Sequence, residues 1–305
     1  MSVDLKKIKT EGRNPNTMDI DTLDTIDILK KINDEDKKVA KCVSKSLESI
    51  RDLVDALVES FSSSGRLIYM GAGTSGRVGI IDAVECHPTY GVSFEMVQCL
   101  MAGGKDAFIQ AVEGAEDNKE LGKNDLMNKN LTKNDFVIGL AASGRTPYVI
   151  GGLEYANSIG AKTGCVVTTP NSIIASMVKY PITVVTGEEV ITGSTRMKAG
   201  TAQKMVCNMI TTSSMIKLGK VYENLMVDVL PTNEKLVSRS YKIICEATGV
   251  GIDEAKELLA KYGTIKKVLV SELSGIKDKE RIEYYLDKNN GHIRKAIEDA
   301  RKEDK

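Results

Sequence analysis

The chain has 305 residues, with Lys plus Arg and Asp plus Glu both at 42 and hydrophobic residues at 42%. That length suits one large α/β domain with a smaller appendage, and a formal charge of zero supplies no basic stripe for nucleic acid. No apolar run is long enough to span a membrane, MSVDLKKIKTEG lacks the apolar core of a signal peptide, and the six cysteines form no C-x-x-C pair, so a cytoplasmic chain with reduced thiols is expected. With only two histidines, no metal centre is expected.

In chain order, residues 1–64 look helical, and RDLVDALVESF puts Leu53, Val54, Leu57, Val58 and Phe61 on one face. From Gly65 short apolar runs begin to end in small or polar residues: RLIYMG, FEMVQCLMAGG, DFVIGLAASG, TGCVVTTPN and ITVVTGEE. Helical stretches separate most of them, the pattern of a parallel, doubly wound α/β sheet flanked by helices. STRMKAGTAQKMVCNMITTSSMIKLG then reads as one long helix, VLPTNEKL around Pro231 as a junction, and GIDEAKELLAKYG and NNGHIRKAIEDARKEDK as charged helices of an appendage.

The segment GAGTSG (Gly71–Gly76) is a literal G-x-G-x-x-G, which alone suits any phosphate at a helix N-terminus. A dinucleotide fold also needs a carboxylate at the end of the second strand. Glu95 opens that strand rather than closing it, and the strand ends in MAGG. The run DFVIGL leads instead into a second hydroxyl-bearing loop, AASGRTPYV, with Ser143 and Thr146. In a parallel sheet both loops emerge at the carboxyl edge, where they would converge on one phosphate monoester. Ordinary helix capping is the competing explanation for each loop taken alone, and solvation for Arg77 and Arg145.

These loops resemble those of the sugar isomerase (SIS) family. TEGRNP, GAGTSGR, DAVECHPTYG, AVEGAEDN, AASGRTPYVIGGLEYA, GEEVITGSTRMKAGTAQK and GKVYENLMVDV narrow the resemblance to the N-acetylmuramic acid 6-phosphate etherases. The resemblance implies a helical segment over 1–54, a phosphosugar-binding domain over 55–230 and a small UBA-like helical domain over 231–305. It also implies a lyase without cofactor or metal, and a homodimer with its active site near the subunit interface. Two motifs depart from the pattern. VECHPT has Val84 where the family has Ser before Glu and His87 where it has Pro after Cys, and Ala141 replaces the first serine of the isomerase loop.

The implied reaction removes D-lactate from C3 of the sugar and adds water. An ether is a poor leaving group, so an acid must protonate its oxygen while a base takes the C2 hydrogen of the ring-opened aldehyde. By resemblance Glu85 is the acid and Glu116 the second catalytic group, the C2 base. Glu113 lies on the same helical face and rivals Glu116, while Asp117 reads as structural. The neighbours Cys86 and Pro88 favour partial burial of Glu85. Gly73, Thr74, Ser75, Ser143, Gly144 and Thr146 are expected to hold the phosphate. Arg145 and Ser194 are expected near substrate, and Lys198 is a possible partner for the lactyl carboxylate. Eleven residues of straight helix between Thr74 and Glu85 would separate them by about 16 Å at roughly 1.5 Å per residue. Either that helix breaks and the chain turns back near Pro88, or Glu85 serves a neighbouring subunit. Two other functions fit the same domain: a non-catalytic phosphosugar sensor, and an aldose–ketose isomerase, which would release no lactate.

Overall fold

The five apolar runs form one parallel sheet: β1 (Leu67–Gly71), β2 (Val97–Met101), β3 (Phe136–Leu140), β4 (Lys162–Val167) and β5 (Tyr180–Thr183). The molecule is described by a computed structural model over residues 11–303 except 111 and 232. Thr10 of TEGRNP, the rest of the first ten residues and the last two residues lie outside the described residues. Every residue of β1 and β3 is buried, as expected for central strands covered on both faces. The strand order is β2-β1-β3-β4-β5. The chain therefore leaves β1 toward one side and continues on the other, which opens a crevice beyond the carboxyl ends of β1 and β3. Gly71 and Leu140, the last residues of those strands, are direct partners in the ladder.

Helix α1 spans Thr25–Ser44 and α2 Leu47–Ser62. Leu53, Val54 and Leu57 of α2 are buried, so the expected boundary at residue 54 falls inside a helix of the sheet layer. Helix α3 runs unbroken over Gly73–Tyr90. A Cβ on its Gly76 would sit 2.8 Å from Met101 Cγ and 3.0 Å from the Gly71 carbonyl oxygen, so only glycine lets α3 start this close to the sheet. Pro88 stands in the last turn, where its missing N–H costs one terminal bond rather than breaking the helix. The short α4 (Asp106–Ile109), α5 (Lys119–Asn128), α6 (Pro147–Ser158) and α7 (Ile173–Met177) complete the crossovers. Helix α8 covers Lys198–Lys217, so STRM, expected to be helical, belongs to the preceding loop.

The chain forms two compact units, Met1–Val84 with Phe94–Thr211, and Glu85–Ser93 with Thr212–Lys305. The second contains the hairpin β6 (Val221–Tyr222) and β7 (Leu225–Met226), and helices α9 (Glu234–Thr248), α10 (Ile252–Tyr262), α11 (Ile265–Ser274), α12 (Lys279–Lys288) and α13 (Ile293–Glu303). It has its own core, in which Ile244, Val268, Leu269, Ile282 and Ala296 are fully buried. Asn233, Thr264 and Asp278 cap its helices by accepting amide hydrogens. Among the described residues no helix is long and apolar enough to cross a membrane.

Candidate active site

Both hydroxyl-bearing loops lie at the β1/β3 crevice. The first turn of α3 holds Gly73, Thr74 and Ser75, and the turn after β3 holds Ser143, Gly144, Arg145 and Thr146. Gly144 has φ +65, and a Cβ there would meet Ser172 Cβ at 2.3 Å, so the turn against the start of α7 requires glycine. Thr146 is the N-cap of α6 but makes no side-chain cap bond, and Pro147 follows at the first helical position. Ala141, which stands where a serine was expected, is buried at 2% exposure among apolar neighbours, a position unsuited to a hydroxyl.

A cavity of about 350 Å³ opens on this turn, lined by Glu116, Asp117, Ser143, Arg145, Thr146 and Ile173. A second, of about 300 Å³, is lined by Gly73, Arg77, Glu113 and Glu116 among others. Glu116 borders both, whereas Glu113 borders only the second. The Glu116 carbonyl accepts from the Tyr148 amide in the first turn of α6 at 3.0 Å, which ties the Glu116 backbone to the start of α6. Asp117, read from sequence as structural, is exposed and lines the first cavity. Arg77 is half-buried rather than solvated, and its guanidinium donates to the carbonyls of Ala107 and Phe108 at 2.8 Å.

Ser75 is placed differently from Ser143. It is 9% exposed, and its hydroxyl donates to Gln203 Oε1 at 2.8 Å. Thr74 is half-buried, and its methyl lies 3.2 Å from where a Cβ on Gly200 would be. The start of α8 thus packs against the start of α3.

Lys198, the first residue of α8, requires a correction. It is 2% exposed, and its ammonium donates to Glu35 Oε2 of α1 at 2.6 Å. A lysine so enclosed and paired is not presented to a substrate carboxylate. Burial opposes ionisation of Glu35, but hydrogen bonds from Lys198, Lys38 and Asn16 outweigh it and bring the carboxyl down to about 2. The amides of Lys198 and Ala199 donate to the two oxygens of Glu189, at 3.0 and 2.9 Å. Glu189 is fully buried, and desolvation raises its pKa against the pull of those amides. Ser194 is half-buried in the loop before α8 and borders neither cavity around Glu116.

Glu85 belongs to the second unit, near the end of α3. It is exposed, not partly buried, although its neighbours Ala83 and Cys86 are buried. His87 has a structural role: its Nδ1 contacts the Val92 carbonyl at 2.6 Å and braces the turn that ends α3. Sequence reasoning missed Gln203, Glu35 and Glu189, whose partners lie far away in the chain. It also missed Asp82, buried on α3 between the Tyr69 hydroxyl, Asn208 and Thr211. Burial raises the Asp82 pKa. Among the described residues no three His, Cys, Asp or Glu converge as a metal site. At the end of β2, where a dinucleotide fold would carry its ribose-binding carboxylate, stand Ala102 and Gly103.

A parallel sheet in this order, with two small hydroxyl-bearing turns at its switch point, has the architecture of an SIS domain. The SIS domain family model matches residues 116–213, and the glucokinase regulatory protein N-terminal SIS domain model matches residues 49–157. The chain is 53% identical over 298 residues to the N-acetylmuramic acid 6-phosphate etherase of Clostridium beijerinckii, covering 98% of both chains. It is 50% identical to that of Clostridioides difficile, again over 98% of each chain. Among solved structures, a phosphoheptose isomerase from Neisseria gonorrhoeae superposes with a TM-score of 0.49 and 11% identity, over 63% of this chain and 99% of that one. The chain belongs to the N-acetylmuramic acid 6-phosphate etherase family.

Proposed function

We infer that this chain is a carbon–oxygen lyase that cleaves the D-lactyl ether of N-acetylmuramic acid 6-phosphate, giving N-acetylglucosamine 6-phosphate and D-lactate in amino-sugar recycling. The observation that carries this is 53% identity sustained over 98% of both chains. In the ring-opened sugar, Glu116 removes the C2 hydrogen, which is acidic because it lies α to the aldehyde. The C3–O bond then breaks as Glu85 protonates the departing lactate oxygen, leaving a conjugated enal. Glu85 next deprotonates a water that adds to C3, and C2 regains a proton. Glu116 is favoured over Glu113 as the base because, of the two, it alone borders both cavities and its backbone is tied to the start of α6.

The 6-phosphate is assigned to the turns carrying Gly73, Thr74, Ser75, Ser143, Gly144 and Thr146. Arg145, which lines the cavity with Glu116, takes the lactyl carboxylate in place of the enclosed Lys198, and Ser194 stays a second-rank substrate contact. Continuous helix from Thr74 to Glu85, about 16 Å at roughly 1.5 Å per residue, supports the second of the two arrangements considered for Glu85. The proposal is therefore a homodimer in which Glu85 serves the partner's phosphate site. The helices from residue 231 onward are assigned to the family's UBA-like domain, and a cytoplasmic setting belongs to the same reading.

The test is turnover of N-acetylmuramic acid 6-phosphate in heavy or oxygen-labelled water. D-lactate should appear unlabelled, with deuterium at C2 and labelled oxygen at C3 of the product. No lactate would sink the etherase assignment, and label in the lactate would sink elimination. Glu85→Gln and Glu116→Gln should each lower the rate by about 10²–10⁴. Co-refolded, they should recover about a quarter of wild-type activity, since half the dimers are mixed and each has one intact site. No recovery from confirmed mixed dimers would place both glutamates on one chain.

A further inference from the structure

We propose that Gln203 is a positioning residue: it sets the phosphate-binding turn of α3 by taking the only hydroxyl proton of Ser75. The proposal rests on the phosphate assignment above and changes what Ser75 does within it. Gln203 is 1% exposed on α8, a turn and a half past the capped helix start. Its Nε2 donates to the Val166 carbonyl of β4 at 3.4 Å, and its Oε1 faces Ser75 Oγ at 2.8 Å.

The amide orientation follows from this network. Reversed, the amide would set Oε1 against the Val166 carbonyl, two acceptors facing each other. With Oε1 toward Ser75, the contact forms only if the serine donates, and a serine has one hydrogen to donate. That hydrogen is then withheld from any phosphate oxygen. Ser75 can still offer its backbone N–H, because the first amides of a helix have no intrahelical acceptor. Hydroxyl donation to phosphate passes to Thr74, Ser143 and Thr146, and Gln203 holds the α3 turn where its amides face the ligand. The helix that carries Gln203 is itself fixed, by Glu189 on its first amides and by the enclosed Lys198–Glu35 pair.

The test is a double-mutant cycle on the purified enzyme with N-acetylmuramic acid 6-phosphate, reading KM, kcat and melting temperature. Gln203→Met, close in size but with no donor and only a weak sulfur acceptor, should raise KM about tenfold, or 1.4 kcal/mol, with kcat little changed. Ser75→Ala breaks the same contact by removing one oxygen, and should raise KM by a similar factor. The double variant should add almost nothing, because both changes delete one interaction. If Ser75 instead donates to phosphate, Ser75→Ala will raise KM while Gln203→Met leaves it unchanged or lowers it, and the proposal falls. A lower melting temperature with unchanged KM in every variant would make the contact purely structural and also overturn it. Ser143→Ala and Thr146→Val separate the underlying assignment. If these leave KM unchanged, the phosphate site is misplaced; if they raise it and Gln203→Met does not, the site stands and the positioning role is wrong.

Discussion

The starts of α6 and α8 carry similar sequences, AASGRTP and GSTRMKAG, each with hydroxyls and a basic residue leading into a helix. By local sequence alone, either suits an anion at a helix start. At α6, Thr146 makes no cap bond, and Ser143, Arg145 and Thr146 all border a cavity with Glu116. At α8 the same need is met from within: Glu189 places both oxygens on the first amides, and Glu35 takes the charge of Lys198. At α6 Pro147 has no N–H and the Tyr148 amide donates to the Glu116 carbonyl, so what faces the cavity is the side chains of Ser143, Arg145 and Thr146. The start of α8 is closed by the protein's own carboxylates. What distinguishes them is a distant acidic side chain, not the local motif.

The largest effect expected from this contrast is at Lys198. Lys198→Met removes one partner of the buried Glu35 carboxylate and leaves it with Lys38 and Asn16, so the cost should fall at the lower end of the about 3–5 kcal/mol for breaking a buried pair. The urea midpoint should fall accordingly, while KM in the folded fraction stays near wild type. A substrate-binding lysine would give the reverse, a higher KM with unchanged stability.

The next effect is in the pH dependence. The Glu35 carboxyl is held at about 2 in the fold against an ordinary 4.5. A carboxyl with a depressed folded pKa adds stability that is fully present above its unfolded pKa and is lost as pH falls toward the folded value. The difference amounts to about 3 kcal/mol, lost between roughly pH 5 and pH 2. Glu189 has the opposite sign: its raised pKa favours the fold below its unfolded pKa, an advantage lost as pH rises through the folded value. Unfolding by urea across that acid range should therefore show a steep limb in wild type and a shallower one in Glu35→Gln. Parallel limbs would mean that Glu35 is not the group responsible.

The same contrast marks what can be read from sequence. The strands were legible because a parallel sheet covered on both faces demands nearly continuous apolar runs, as LIYMG and FVIGL show. The two turns were legible because strand order and a hydroxyl at a helix start are both local signals. The closure of α8 was not, since Glu35 lies 163 residues from Lys198 and no periodicity links them. The contact of Ser75 with Gln203 has no local signal for the same reason, its acceptor being 128 residues away. The expected burial of Glu85 failed because composition nearby does not say which side of a helix a residue occupies. STRM reads as helix in sequence because nothing local marks Glu189 as the cap that begins α8 at Lys198.

The smallest effect is at the open helix start and separates phosphate from sugar recognition. Ser143 is half-buried on the turn that borders the Glu116 cavity, so removing its hydroxyl should leave the core and the unfolding midpoint nearly unchanged. If that hydroxyl donates to the 6-phosphate, Ser143→Ala leaves an oxygen of the ligand unpaired and weakens binding by about 1–3 kcal/mol. Inhibition by N-acetylglucosamine 6-phosphate should weaken by that amount, while inhibition by N-acetylglucosamine, which has no phosphate, should not change. Equal loss for both inhibitors would mean that Ser143 contacts the sugar ring or shapes the turn, and would move the phosphate away from α6. No loss for either would make the start of α6 as closed to ligand as that of α8, and the contrast between them would disappear.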